Sequence, residues 1–185
     1  MFVVFDGLDK AGKTTQLNLI SKWLEDKQVD FHRTREPGGC DVSEAIRNIF
    51  MNYEMDQFSR LALISAARLE HTKFLKENYS NKLIICDRFI DSTIAYQGKY
   101  FSKDLLDVFF ENSVKLNPDY VFLFLNAYAE PEDLMDKEAF DNRVEMTKIF
   151  EKRAAEKNYF IVPKGSVDFV SNFIISKFEE ILLKI

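Results

Sequence analysis

The chain has 185 residues, 46% hydrophobic and 30% charged, with a formal net charge of −5. That length suits one compact domain with a substantial core. The acidic balance argues against wholesale binding of nucleic acid or an anionic membrane, while leaving room for a local basic site for a small anionic ligand. The 18 phenylalanines are spread along the chain and read as core, not as an aromatic platform.

In chain order, Phe2-Val3-Val4-Phe5 is the first apolar run. It is too short for a signal peptide, and Asp6 ends it. A loop, GLDKAGKT (7–14), leads into a helical pattern over 13–26 with Leu17, Ile20, Trp23 and Leu24 on one face. A weaker run, VDFHRT (29–34), precedes TREPGG (34–39), and helical patterns follow at 43–51 and 56–77. The third run, KLIICD (82–87), opens into DRFIDSTIAYQG (87–98). Residues 102–116 predict another helix, ended by LNPDY (116–120), where proline turns the chain into YVFLFL (120–125). A helix over 141–157, a short run YFIV (159–162) and an amphipathic helix over 167–184 complete the chain. There is no repeat, linker or membrane-length apolar stretch. Cys40 and Cys86 lack metal-type spacing, and Cys86 reads as a buried thiol. They suggest a reducing, cytoplasmic setting. His32 and His71 are isolated and receive no catalytic role.

Continuous apolar runs alternating with helices predict an α/β architecture: a five-stranded parallel sheet with helices on both faces, formed as a single domain over 1–185. Ligands in such folds bind beyond the carboxyl ends of the strands. The chemistry-bearing residues should therefore follow each run, at Asp6 to Thr14, Arg35 to Gly39 and Asp87 to Gln97.

Residues Gly7-Leu8-Asp9-Lys10-Ala11-Gly12-Lys13-Thr14 fit G-x-x-x-x-G-K-[ST] throughout. Gly7 and Gly12 let the backbone curl so that amide N–H groups face phosphate oxygens, with the helix dipole adding to the field. The segment through Thr15 is the candidate ATP site. Lys13, expected to be exposed, would reach the β- and γ-phosphates, and the Thr14 hydroxyl would ligate Mg²⁺. Asp87 would hold the Mg²⁺ shell or, alternatively, cap the next helix. Arg88 would grip an acceptor phosphate with its planar fork, or pair with Asp87 or Asp91.

GLDKAGKTTQ, TREPGG and DRFIDSTIAYQG, in this order, resemble the thymidylate kinase family, in the bacterial form carrying REPGG. The resemblance covers nearly the whole chain and is weakest over 126–145. It implies transfer of the γ-phosphate of ATP to dTMP, giving dTDP and ADP, with Mg²⁺, in a homodimer built through a helical face. Asp9 would organise the catalytic centre and contact the 3′-hydroxyl. Arg35, Glu36 and Pro37 would form a loop beside the acceptor phosphate, with the Glu36–Pro37 bond cis. Arg47 and Arg68 would lie near the acceptor nucleotide, and Ser92, Thr93 and Gln97 at the thymine ring. Tyr96 would stack on the deoxyribose and exclude a 2′-hydroxyl.

Three features depart from the family pattern. Ile64 stands where an aromatic ring usually stacks on thymine. The lid segment, about 126–145, is acidic; Lys137 and Arg143 are its only basic residues, and Arg143 is the lid candidate for catalysis. Lys10 occupies a cradle position often held by glycine; it either supplies charge missing from the lid or is a solvent-facing lysine. The rival functions are another nucleoside monophosphate or deoxynucleoside kinase of the same fold, and a nucleotide-dependent switch.

Overall fold

The computed structural model describes residues 1–126, 134–157 and 159–184, with the side chains of 111–113 and 134–141 outside that description. The apolar runs form β1 (Phe2–Gly7), β2 (Phe31–Arg35), β3 (Leu83–Asp87), β4 (Tyr120–Phe124) and β5 (Phe160–Ile161). They make one sheet in the order β2-β3-β1-β4-β5, with every pairing parallel. β1 is buried along its whole length, as a central strand covered on both faces must be. The edge strand β2 is only partly buried.

Register brings the motifs together. Asp87 is level with Phe5 on one side and Arg35 on the other, and Gly7 is level with Phe124. All three motif loops therefore leave the same edge of the sheet.

The helices are α1 (Lys13–Asp26), α2 (Asp41–Asn52), α3 (Gln57–Tyr79), α4 (Ile90–Gln97), α5 (Lys103–Ser113), α6 (Leu134–Lys157) and α7 (Val167–Leu182). The first coincides with the predicted 13–26. Helix α6 begins seven residues before the expected 141. Helix α4 lies inside DRFIDSTIAYQG, which carried no helix prediction. Its cap residue, Phe89, offers no side-chain bond to the helix. The signal that starts α4 comes from elsewhere in the chain.

The phenylalanines fill the core as expected. Phe5 packs on Phe122 at 5.1 Å between ring centroids, and Phe122 stacks on Phe178 of α7 at 5.5 Å. Phe58 and Phe169 depart from that reading, since both are largely exposed.

Gly7 ends β1 with φ 127°, and a Cβ there would stand 2.1 Å from the Phe124 carbonyl oxygen. That carbonyl accepts the Leu8 N–H at 2.9 Å, so the loop is pinned against β4. Gly7→Ala should cost at least about 2 kcal/mol of stability, from strain plus displacement of backbone. Chemical denaturation measures it, and a loss under about 0.5 kcal/mol contradicts this packing.

Candidate active site

Residues 9–15 line an open cleft together with Asp87 and Arg88. Gly12 caps α1 in a left-handed conformation, φ 88°, so the first turn presents its free N–H groups to the cleft. Lys13 is not exposed as expected; it is 6% exposed. Its Nζ folds back and donates to the carbonyls of Gly7 (3.2 Å) and Leu8 (2.5 Å). A buried ammonium with no anion takes the nearest acceptors, and here those belong to its own loop. Burial and then Arg88 push its pKa down to about 8, with Asp6, Asp87 and Asp9 opposing. Thr14 and Thr15 are exposed on the first turn of α1. Lys10 is exposed at φ 57°, a left-handed position that suits glycine better than lysine.

Asp6, which falls in the first chemistry-bearing stretch but carries no role of its own from sequence, organises the site. It is fully buried. One oxygen accepts the Gly7 N–H (2.8 Å) and the Ser92 hydroxyl (2.5 Å). The other accepts the N–H groups of Phe89 and Ser92, both at 3.1 Å. Asp6, not Asp87, therefore caps α4. Burial, then the neighbouring charge of Asp91, raises its pKa to about 6 against the pull of Arg88 and these hydrogen bonds.

Asp87 lines the cradle cleft with Thr14, and its Oδ1 is buried with no partner. Arg88 pairs with neither Asp87 nor Asp91. It reaches Asp9 in an ion pair and donates to the Gly7 carbonyl (3.1 Å) and Ser92 Oγ (2.8 Å). Its backbone is strained, at φ 68°. Tyr96 donates its hydroxyl to Asp9 at 2.6 Å, and the Arg88 guanidinium lies 5.4 Å from its ring. Burial pushes the Asp9 carboxyl up, but Arg88, the Tyr96 hydroxyl and Lys13 hold it below its ordinary value. Asp91 is committed to Arg153 of α6, at 2.6 Å.

A second cavity, about 440 Å³, opens on the far side of Asp9 and Arg88. Pro37, Arg47, Ile64, Arg68, Thr93 and Gln97 are in its wall, as are Ser92 and Tyr96. Arg68 is 1% exposed. It donates through Nε to Glu36 (2.7 Å) and through Nη2 to Thr93 Oγ1 (2.8 Å), while Nη1 has no partner. Gln97 Oε1 is likewise buried without a partner. Ser92 has its hydroxyl engaged by Asp6 and Arg88, so it positions the wall more than it offers a contact. Arg47 holds the Pro37 carbonyl at 2.8 Å, across a Glu36–Pro37 bond that is cis.

His71, given no role from sequence, is fully buried; it meets Glu36 Oε1 at 3.1 Å and Thr34 Oγ1 at 2.7 Å. It holds Glu36 for Arg68. Its place three residues after Arg68, on the same face of α3, was the available signal.

Arg35 does not line this cavity. Its guanidinium turns to Glu44, at 2.9 and 3.0 Å, in a neighbouring cleft shared with Thr14 and Asp87. Of the lid segment, residues 127–133 lie outside the described residues, as does the side chain of Lys137. Arg143 lines a third cavity, between α4 and α6, with Asp9, Tyr96 and Lys99.

The cradle cleft and this second cavity, also open to solvent, thus share Asp9 and Arg88 in their walls. The thymidylate kinase family model matches residues 5–171. The chain belongs to the thymidylate kinase family. Members phosphorylate dTMP, and ATP is the family's standard donor. A probable thymidylate kinase of Methanocaldococcus jannaschii is 34% identical over 202 residues, 98% of this chain and 97% of that protein. The thymidylate kinase of Neorickettsia sennetsu is 37% identical over 132 residues; that alignment takes in 69% of this chain and 66% of the relative, just under two thirds. The crystal structure of the Ehrlichia chaffeensis thymidylate kinase superposes with a TM-score of 0.77 at 30% identity, covering 96% of this chain and 98% of that one. The parallel sheet and its helices are thus the fold of a thymidylate kinase.

The lowered pKa of Lys13 has a measurable consequence. Above about pH 8 the free protein loses the Lys13 proton, and a bound triphosphate favours its return. ATP affinity should then weaken, by up to about tenfold per pH unit, as pH rises from about 8 towards 10. Titration calorimetry across that range measures it; an affinity flat from about pH 7 to 9.5 contradicts the assignment.

Proposed function

We propose that this chain, as a single domain over 1–185, transfers the γ-phosphate of ATP to dTMP, giving dTDP and ADP. The observation that carries the reading is that two residues lining the second cavity each keep a buried group without a partner, a donor on Arg68 and an acceptor on Gln97. Thymine presents a carbonyl oxygen next to an imide N–H, the complement of that pair. Cytosine presents an amino group and a bare ring nitrogen there, setting donor against donor at Arg68. Unpaired buried groups make such mismatches costly. Guanine shares the carbonyl and N–H pattern, so a guanylate-type kinase is the second reading.

Little covalent chemistry is asked of the protein; catalysis is alignment and charge. Lys13 leaves the carbonyls of Gly7 and Leu8 for the phosphates of ATP, which the cradle N–H groups of residues 7–15 receive. Arg88, anchored by Asp9, binds the acceptor phosphate at the shared wall. Tyr96 packs on the deoxyribose, and Asp9 lies within reach of its 3′-hydroxyl.

Thr14 and Asp87 would hold Mg²⁺. The buried, partnerless Asp87 Oδ1 beside an exposed Thr14 fits a hard cation whose other ligands are phosphate oxygens and water. When bound there, the ion would supply positive charge to neutralise the phosphates. Lys10 from the cradle cleft and Arg143 from the third cavity stand as alternative carriers of positive charge for the transferred group.

A homodimer is supported by exposed apolar side chains: Val42 and Ile49, seven apart on α2, and Phe58 at the start of α3. No helix among the described residues is long and apolar enough to cross a membrane. The free Cys40 and Cys86 support a cytoplasmic setting, and the acidic charge supports the absence of nucleic-acid and anionic-membrane partners.

A coupled ADP-release assay over a panel of monophosphates tests the proposal. dTMP should give the highest kcat/KM, and dUMP a value lower by the modest factor of one lost methyl, roughly 10- to 100-fold. The ribose form and dCMP should be poor acceptors. A higher kcat/KM for dGMP contradicts the substrate. Lys10→Ala should lower kcat about 10²- to 10³-fold if Lys10 carries the charge; a change within a few-fold assigns the role to Arg143.

A further inference from the structure

Among the side chains in the wall of the acceptor cavity that carried no sequence expectation are Phe50, near the end of α2, and Arg60, in the first turn of α3. They touch each other. The Arg60 guanidinium carbon lies 4.2 Å from the centroid of the Phe50 ring, the distance of a close cation–π stack. Phe50 in turn packs on the cluster of Leu61, Ile64 and Leu106, so the platform is tied to the core beneath the cavity.

Spacing fixes where the platform stands. Arg60, Ile64 and Arg68 are four residues apart on α3, and such residues form one row along a helix face. All three line the cavity. Arg68, deeply buried, marks the inner end; Ile64, 7% exposed, is the middle; half-buried Arg60 marks the mouth. Isoleucine in the middle gives a base an aliphatic surface without a π-face. Among the described residues no carboxylate pairs with Arg60, so its guanidinium plane has no competing geometry to satisfy.

We propose that the Phe50–Arg60 stack is a positioning and specificity element for the acceptor base, supplying from the α2–α3 junction the planar surface that position 64 lacks. The proposal rests on the dTMP reading of this cavity. A guanidinium is planar, weakly hydrated and able to stack on an aromatic face while its edge or opposite face meets a nucleobase. Held on Phe50 before the ligand arrives, it loses little side-chain freedom on binding. A lysine at the same place would keep the charge without the plane.

The test compares dTMP with base-free 2-deoxyribose 5-phosphate as ligands of wild type, Arg60→Lys, Arg60→Met and Phe50→Leu, each checked for folding by thermal melt. All three substitutions should weaken dTMP roughly 3- to 10-fold, the scale of a stacked cation, and leave affinity for the base-free sugar phosphate unchanged. In turnover, KM for dTMP should rise by more than kcat falls. Wild-type dTMP affinity in Arg60→Lys shows that charge alone suffices and overturns the platform. So does a parallel loss of the base-free ligand, which places Arg60 at the phosphate. A wild-type protein that binds dTMP no better than the base-free sugar phosphate fails differently: it removes the dTMP reading and the platform with it.

Discussion

Asp6 carries a carboxylate that water does not reach, and burying a charge costs several kcal/mol unless donors surround it. Three N–H groups and one hydroxyl do so, drawn from the cradle and from α4. The two segments are more than 80 residues apart in sequence. One oxygen holds the first residue of the cradle together with the Ser92 hydroxyl; the other caps the helix that carries Ser92, Thr93, Tyr96 and Gln97. The proposed donor and acceptor sites therefore share one anchor, Asp6. The raised pKa, about 6, shows that burial and Asp91 outweigh the favourable partners. The sign follows: the folded state binds this proton more tightly than the unfolded one, so stability falls as pH rises from 3.8 to about 6 and the full cost of the ionised anchor persists above that. Rigidity at the site is obtained against that cost.

A second layer extends the anchor to α6. Asp91, in the first turn of α4, pairs with Arg153 at 2.6 Å, and its charge acts on Asp6. The helix that ends the lid segment is thereby joined to the helix behind the acceptor cavity. Arg88, strained at positive φ, links the same parts from the other side through Gly7, Ser92 and Asp9. Alignment within fractions of an ångström is what phosphoryl transfer asks of a protein, and this cross-bracing serves it.

What could be read from the chain was whatever is written locally. The cradle is local: an apolar strand, two glycines five apart, a lysine, a helix. The α1 bounds and the apolar runs were legible for the same reason. What escaped is written across distance. The bounds of helix α4 went unread because its cap is the distant Asp6 and not the adjacent Asp87. The Glu36–Arg68–His71 network joins residues 32 and 35 apart, so His71 looked isolated. The direction of Arg35 depends on Glu44. Lys13 is the local exception, buried on carbonyls of its own loop. Phe50 and Arg60 were invisible because the expected place for an aromatic surface was position 64.

The shared anchor is tested most directly by measuring ATP and dTMP affinity separately on folded Asp6→Asn. An amide keeps the shape but must turn a donor toward donors on one side, and it carries no charge. Both affinities should fall by at least about tenfold, since a hydrogen bond to a charged group contributes about 1.5–3 kcal/mol. If either ligand keeps its wild-type affinity while the other weakens, the two sites do not share this anchor.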